Sequence, residues 1–200
     1  MRVLNAYAGI GGNRHLWPDE WKVTALEIDP RVAAEYARRY PNDTVLVVDA
    51  HEYLLAHAHE FDAVWSSPPC PTHSKLAKVV ASRYGRELNP DPRLWDEVNH
   101  LRALGVPFVV ENVHTYYAPL VEPDVVTDRH YYWTNNPPPM LTRVHVIPLS
   151  PKTVAGEYAE SYGLPPIPAG VVGDARKAMR NAVVPQEGLE LAMAAFGVHA

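Results

Sequence analysis

Short apolar runs that alternate with stretches of helical spacing constrain this chain more than any other feature. Residues 3–7 form the first run and end in Ala8-Gly9-Ile10-Gly11-Gly12, a strand followed by a glycine turn. Residues 23–27 read as a second strand, and residues 31–40 as a helix with Val32, Tyr36 and Tyr40 on one face. Asp29-Pro30 supplies that helix with a capping carboxylate and a first-turn proline. Residues 45–48 predict a third strand, 52–57 a short helix, and 63–66 a fourth strand that delivers Cys70. A helix over 93–104 is stopped by Gly105-Val106-Pro107, and a fifth strand over 108–110 ends at Glu111-Asn112. Residues 131–133 predict a later strand and 188–196 a closing helix. Such alternation implies an α/β fold, an open and largely parallel sheet with helices on both faces.

Two hundred residues suffice for one domain with a substantial core. No run is long enough to span a membrane, and the N-terminus lacks the shape of a signal peptide. The single cysteine allows no internal disulfide and fits a reducing, cytoplasmic location. A net charge of −5 argues against a protein that coats nucleic acid indiscriminately. Positive charge is nevertheless local: Lys75, Lys78, Arg83 and Arg86 follow Cys70 closely, and Arg176, Lys177 and Arg180 form a second stretch. Prolines bracket segment 71–92, which reads as a loop.

In open sheets of this kind ligands bind beyond the C-terminal strand ends, and the chemically notable residues fall there. Gly9, Gly11 and Gly12 let a backbone approach a ligand closely. The dinucleotide fingerprint requires a further glycine where Arg14 stands, so a nicotinamide or flavin dinucleotide is disfavoured. Glu27 at the second strand's end suits ribose hydroxyls, and Asp49 suits an adenine amino group. Each alone is more often a solvated loop acid or a helix cap; together with the turn they suggest an adenosine-containing cofactor without a pyrophosphate. Cys70, framed by prolines at a strand exit, reads by position alone as a free core cysteine, as most unpaired cysteines are, or as a sulfur nucleophile presented above the sheet. Glu111, behind an apolar run, is expected to be partly desolvated and able to donate a proton, although taken by itself it reads first as a helix-capping or salt-bridged acid. A thiol and a protonatable carboxyl on one rim suit thiolate addition to an electron-poor ring whose nitrogen the acid stabilises. Cys70-x-x-His73 lacks the second pair that a zinc site needs, so no metal is expected.

Ala8-Gly9-Ile10-Gly11-Gly12, Glu27-Ile28-Asp29, Pro69-Cys70, Glu111-Asn112-Val113 and Asn181-Ala182-Val183-Val184-Pro185 stand in the order of the cytosine-5 DNA methyltransferase motifs. The chain resembles a very small member of that family, of the stripped-down type encoded by bacteriophages. The resemblance implies a Rossmann-like sheet and S-adenosyl-L-methionine as methyl donor. Tyr7, Gly9, Gly11, Gly12, Glu27, Ile28, Asp49, Pro69, Asn181 and Val183 would form the cofactor site. Cys70 would attack carbon 6 of a flipped-out cytosine, Glu111 would hold its N3 and amino group, and Asn112 would support the Cys70 loop. Ser74, Lys75, Lys78, Arg83 and Arg86 would contact double-stranded DNA as the 71–92 loop closes over it.

The departures are specific. Pro71 replaces the usual glutamine after the cysteine, and Arg180 replaces the glycine before Asn181. Where the family carries an arginine pair beside the target base, this chain has Arg129 and His130, with His130 standing in for the second arginine. The division implied is a catalytic and cofactor core over 1–135, a reduced target-recognition region over 136–175 and a closing segment over 176–200. A recognition region of that size implies short or relaxed specificity, or a protein partner that supplies it. Ser150 to Pro168, with Tyr158 and Tyr162, reads either as the remnant of a reading surface or as a packed loop. Two alternatives share the scaffold: an RNA (tRNA) cytosine-5 methyltransferase, and a non-catalytic DNA-docking module.

Overall fold

The computed structural model describes residues 1–142, 147 and 152–197. Residues 143–146 and 148–151 of the expected recognition region, and 198–200 of the closing segment, lie outside the described residues.

Among the described residues, seven strands form one sheet: β1 (Arg2–Ala6), β2 (Lys22–Leu26), β3 (Thr44–Leu46), β4 (Ala63–Ser66), β5 (Phe108–Val113), β6 (Val125–Val126) and β7 (His130–Thr134). Their order is β3-β2-β1-β4-β5-β7-β6. The first five are mutually parallel, and β7 runs antiparallel to both β5 and β6. The expected Rossmann-like α/β sheet is therefore present.

Alternate residues along each central strand enter opposite cores, as the two-residue period of a strand requires. Leu4, Val64, Phe108, Val110 and Trp133 face one core, which α2 (Ala50–His57) and α4 (Arg93–Leu104) cover through Leu54, Leu94, Val98 and Leu101. Val3, Trp65, Val109 and Tyr132 face the other, closed by Trp17, Trp21 and Leu191, Ala195 and Phe196 of the C-terminal segment. Trp65 is fully buried; removing a side chain of that size from water contributes about 3 kcal/mol.

Helix α1 (Pro30–Arg39) starts as its sequence demands, with Asp29 accepting from Arg31 N and Pro30 in the first turn. Gly105 terminates α4 in the left-handed conformation. Five elements exceed the sequence expectation: α3, β6, α5 and α6 were not expected, and α7 is longer than expected. Segment 71–92 is not simply a loop, because α3 (Lys75–Arg83) occupies it, capped by the Ser74 side chain. Strand β6 is two residues long, below the reach of any periodicity. Helix α5 (Ala155–Tyr162) packs against α6 (Ala175–Arg180) and the turn residue Ile10, and buries Tyr158 and Tyr162. The described part of 150–168 is thus packed structure. Helix α7 (Pro185–Ala195) begins earlier than expected, at its own proline.

Candidate active site

The sheet order reverses between β1 and β4: the chain builds outward from β1 through β2 to β3, then crosses to β4 on β1's other side. Loops leaving such a pair diverge and open a crevice at their C-terminal ends. Tyr7 to Gly12 leave β1 and Ser67 to Cys70 leave β4, so the glycine turn and the thiol loop are the crevice's two lips.

The glycine turn is tied back on both sides. Ala8 N donates to Leu26 O at 2.8 Å and Gly11 N to Ala8 O at 2.9 Å. Glu27 accepts from Gly9 N at 3.1 Å through Oε2 and from Asp29 N at 2.9 Å through Oε1. A carboxylate offers about four acceptor positions, so Glu27 keeps capacity for hydroxyls in the crevice. A side chain at Gly9 would meet nothing within 4 Å, so the crevice is open there, whereas one at Gly11 would strike the Tyr40 and Tyr36 rings. Gly12 abuts the C-terminal segment, which brings Val183 against the turn; a Cβ there would lie 2.4 Å from Val183 O. Asn181 ends α6 at the surface beside this contact. Ile28 is two-thirds exposed at the β2 exit. Asp49 caps α2 through Oδ1, accepting from His51 and Glu52 N, while Oδ2 faces Arg93 at 4.0 Å. Tyr7 adopts a left-handed φ of 57°. Its hydroxyl donates to Glu97 at 2.6 Å.

Cys70 and Glu111 are held on one rim by contacts between their loops. Asn112 Nδ2 donates to Pro68 O at 2.9 Å, fixing the peptide just before Pro69-Cys70. His73 N and Ser74 N both donate to Cys70 O, and Tyr116 N donates to His73 O. Buried His73 meets the Tyr117 hydroxyl through Nδ1 at 2.6 Å. Burial and the charge of Glu111 push the half-buried Cys70 thiol up, against the pull of Arg180 and Lys177. The charges of the last two are thus felt at the thiol, which the linear sequence could not reveal.

Glu111 is buried, and desolvation lifts its carboxyl to about 7; Ser67 and the Arg129 charge pull the other way. His130 Nε2 stands 3.3 Å from Glu111 Oε1. Burial and the neighbouring Arg129 and His114 hold this imidazole down at about 3, so it is neutral. Arg129 lies over the Tyr162 ring, donates to its hydroxyl, and reaches Arg180 O at 3.1 Å. Lys75, Arg83 and Arg86 are exposed on and beside α3, and Lys78 sits over the Tyr116 ring. The structure thus groups Cys70, Glu111, Asn112, Arg129 and His130, and separately Gly9, Gly12, Glu27 and Val183. Lys75, Lys78, Arg83 and Arg86 lie on the flank.

Glu97 and Glu187 escaped the sequence reading. Glu97 is wholly buried and accepts from Tyr7, from Ser66 Oγ at 2.5 Å, and meets His51 Nδ1 at 2.8 Å. Its signal was available: Glu97 sits within the apolar stripe of Leu94, Val98 and Leu101.

The sequence matches no protein-family profile and no curated protein. Among solved structures it is similar to a protein described as a DNA modification methyltransferase encoded within an Escherichia coli prophage, at 18% identity and a TM-score of 0.40, over 59% of this chain and 33% of that one. It is also similar to a Spodoptera frugiperda DNMT2 variant, at 19% identity and a TM-score of 0.46, over 76% of this chain and 55% of that one. A protein described as an Escherichia coli methyltransferase shares 18% identity at a TM-score of 0.40, over 66% of this chain and 72% of that one. The chain spans about a third and about half of the first two. At these values the likeness concerns sheet architecture alone.

Proposed function

We propose that this chain transfers a methyl group from S-adenosyl-L-methionine to carbon 5 of a cytosine in DNA, through a covalent adduct on Cys70. The observation that carries this reading is the pairing of the chain's one thiol with a proton-bearing carboxyl, Glu111, on a single rim of the switch-point crevice. The crevice fits the cofactor: open space lies in front of Gly9, and Glu27 faces it from the end of β2. Glu27 would hold the ribose, Asp49 Oδ2 the adenine amino group, and Val183 with Asn181 the closing side. When bound, the cofactor supplies an electrophilic methyl group.

Cys70 adds as thiolate to carbon 6 of the extruded base, and Glu111 donates its proton to N3. That proton has a second effect. A neutral Glu111 no longer opposes ionisation of Cys70, while Lys177 and Arg180 favour it, so the state that arms the acid also arms the nucleophile. Electron density gathers at carbon 5, which takes the methyl group. Water takes the carbon 5 proton, the electron pair of that bond closes the ring double bond and expels Cys70 as thiolate, and N3 returns its proton to Glu111. Asn112 keeps the Cys70 loop in place throughout. Extruding the base costs a few kcal/mol; Lys75, Lys78, Arg83 and Arg86, beside the thiol loop, would offset it through phosphate contacts.

The test is expression in bacteria that lack cytosine methylation, with 5-methyldeoxycytidine measured by mass spectrometry in digested host DNA. The wild-type chain is expected to give a signal that Cys70→Ala abolishes. Soluble wild-type protein that binds the cofactor yet leaves host DNA unmethylated, and forms no covalent adduct with 5-fluorocytosine DNA, would overturn the reading.

A further inference from the structure

Behind Glu111 stands a line of four titratable side chains. Glu111 pairs with Tyr132 across β5 and β7, and His130 lies two positions from Tyr132, so all three side chains share one sheet face. Helix α7 packs on that face and brings Glu187 to it. The spacings are 3.3 Å from Glu111 Oε1 to His130 Nε2, 3.5 Å from His130 Nδ1 to the Tyr132 hydroxyl, and 2.9 Å from that hydroxyl to Glu187 Oε2. His130 and Tyr132 are buried, whereas Glu187 is half-buried and reaches water.

A neutral imidazole donates from one nitrogen and accepts at the other, so the line has two arrangements. In the first, the Glu187 carboxylate accepts the Tyr132 proton, the Tyr132 oxygen accepts from Nδ1–H, and bare Nε2 accepts from protonated Glu111. Moving each proton one place along gives the second. There Glu111 is ionised and accepts from Nε2–H, Nδ1 accepts from Tyr132, and Glu187 carries the proton. One proton has passed from Glu111 to Glu187, and the total charge is unchanged.

We propose that Glu187 is a positioning residue which, by holding the Tyr132 hydroxyl, fixes the His130 tautomer that keeps the reacting proton on Glu111. The shorter bond from Tyr132 runs to Glu187, and the half-buried Glu187 carries a charge at lower cost than the buried Glu111. Both observations select the first arrangement. The role deepens the methyl-transfer reading and rests on it, since only that chemistry asks Glu111 for a proton. The other groups facing the line are Ser67, Cys70 and Arg129 around Glu111, Arg129 and His114 around His130, and Asp128, Arg129 and Glu190 around Glu187. Of these Arg129 opposes protonation of both carboxyls and therefore does not choose between the arrangements.

The test needs neither DNA nor cofactor, so its failure is distinct from failure of the functional reading. The carboxyl carbons are labelled with 13C-glutamate, the Glu111 signal is identified by its loss in Glu111→Gln, and its titration is followed by NMR. Tyr132→Phe breaks the line but leaves the Glu187 charge in place. Glu187→Asp keeps that charge and withdraws it from the hydroxyl. Both are expected to lower the Glu111 midpoint by at least about half a pH unit, since His130 is then free to donate to the carboxylate. Glu187→Gln is expected to do the same, and its pairing with Tyr132→Phe to go no further than the larger single effect. Unchanged midpoints in Tyr132→Phe and Glu187→Asp would overturn the proposal, as would a shift confined to Glu187→Gln, which reports charge through space. Additive shifts in the double variant would also overturn it. If Tyr132→Phe does not fold, Glu187→Asp decides alone.

Discussion

Replacing Gly12 by alanine is expected to separate the glycine turn from the C-terminal segment. The added carbon would lie 2.4 Å from Val183 O, 2.9 Å from Ala182 Cβ and 3.0 Å from Val183 N, where ordinary contact begins at 3.4 Å. The largest shortfall is 3.4 − 2.4 Å, about 1 Å, and two of the three atoms are backbone, which cannot rotate away. Val183 belongs to the core beneath α7, while Ala182 and Val184 belong to the cluster around Ile10, so a shift of this segment loosens both. Overpacking of this kind costs up to about 3 kcal/mol. In a chain of this size that lowers the melting temperature by about 6–12 °C. Gly9→Ala is the matched control. Its Cβ meets nothing within 4 Å and bears only the strain of a φ of +56°, about 1 kcal/mol and so about 2–4 °C. Calorimetric melts, with titration of S-adenosylhomocysteine into each protein, measure both consequences: Gly12→Ala should melt well below Gly9→Ala and bind more weakly than wild type. A Gly12→Ala protein that melts no lower than Gly9→Ala would refute the steric argument.

Glu111→Gln should stabilise the fold at alkaline pH. The carboxyl titrates at about 7 when folded against 4.5 when free, so the unfolded chain releases a proton first and stability falls as pH climbs through that window. Above it the penalty is about 3 kcal/mol; Gln avoids it, and its melting advantage at about pH 8 should vanish by about pH 4.5. Glu97→Ala leaves the Tyr7 and Ser66 hydroxyls and His51 Nδ1 without their shared acceptor. It should cost about 3–5 kcal/mol in denaturant titrations. Asn112→Ala frees the Pro68 carbonyl and should cost only about 1 kcal/mol of stability. Yet it should slow DNA methylation on the order of a hundredfold, because the thiol loop is no longer held in register.

The central strands were legible because both their faces are buried, so they wrote dense apolar runs such as residues 63–66. The glycine turn and Asp29-Pro30 were legible because they report local backbone demands. Helix α3 was obscured by flanking prolines, although Ser74 and the residues after it form an ordinary capped helix. The reversed direction of β7 leaves no mark in a five-residue apolar segment. Of the candidate site, Cys70 and Glu27 could be read from their strand exits, and Glu111 from the apolar run before it, although β5 continues through Val113 and Glu111 lies within the strand. The influence of Lys177 and Arg180 on the thiol could not be read, because more than a hundred residues separate them from Cys70 in sequence. Glu187 was hidden for a different reason: one acid among the polar residues of a helix looks like solvated surface.

The hold that Tyr162 and Arg180 exert on Arg129 bears on how such a chain can change its preferences. In a modular architecture a reading segment can be exchanged while the catalytic rim is left intact. Here α5 and α6 also prop a wall of that rim and cover Ile10 of the glycine turn. A foreign segment in their place would have to bring its own ring beneath Arg129 and its own cover for Ile10. On the methyl-transfer reading, point substitutions at exposed positions would change preferences at less cost to the packing around Arg129 and Ile10 than exchange of the whole segment.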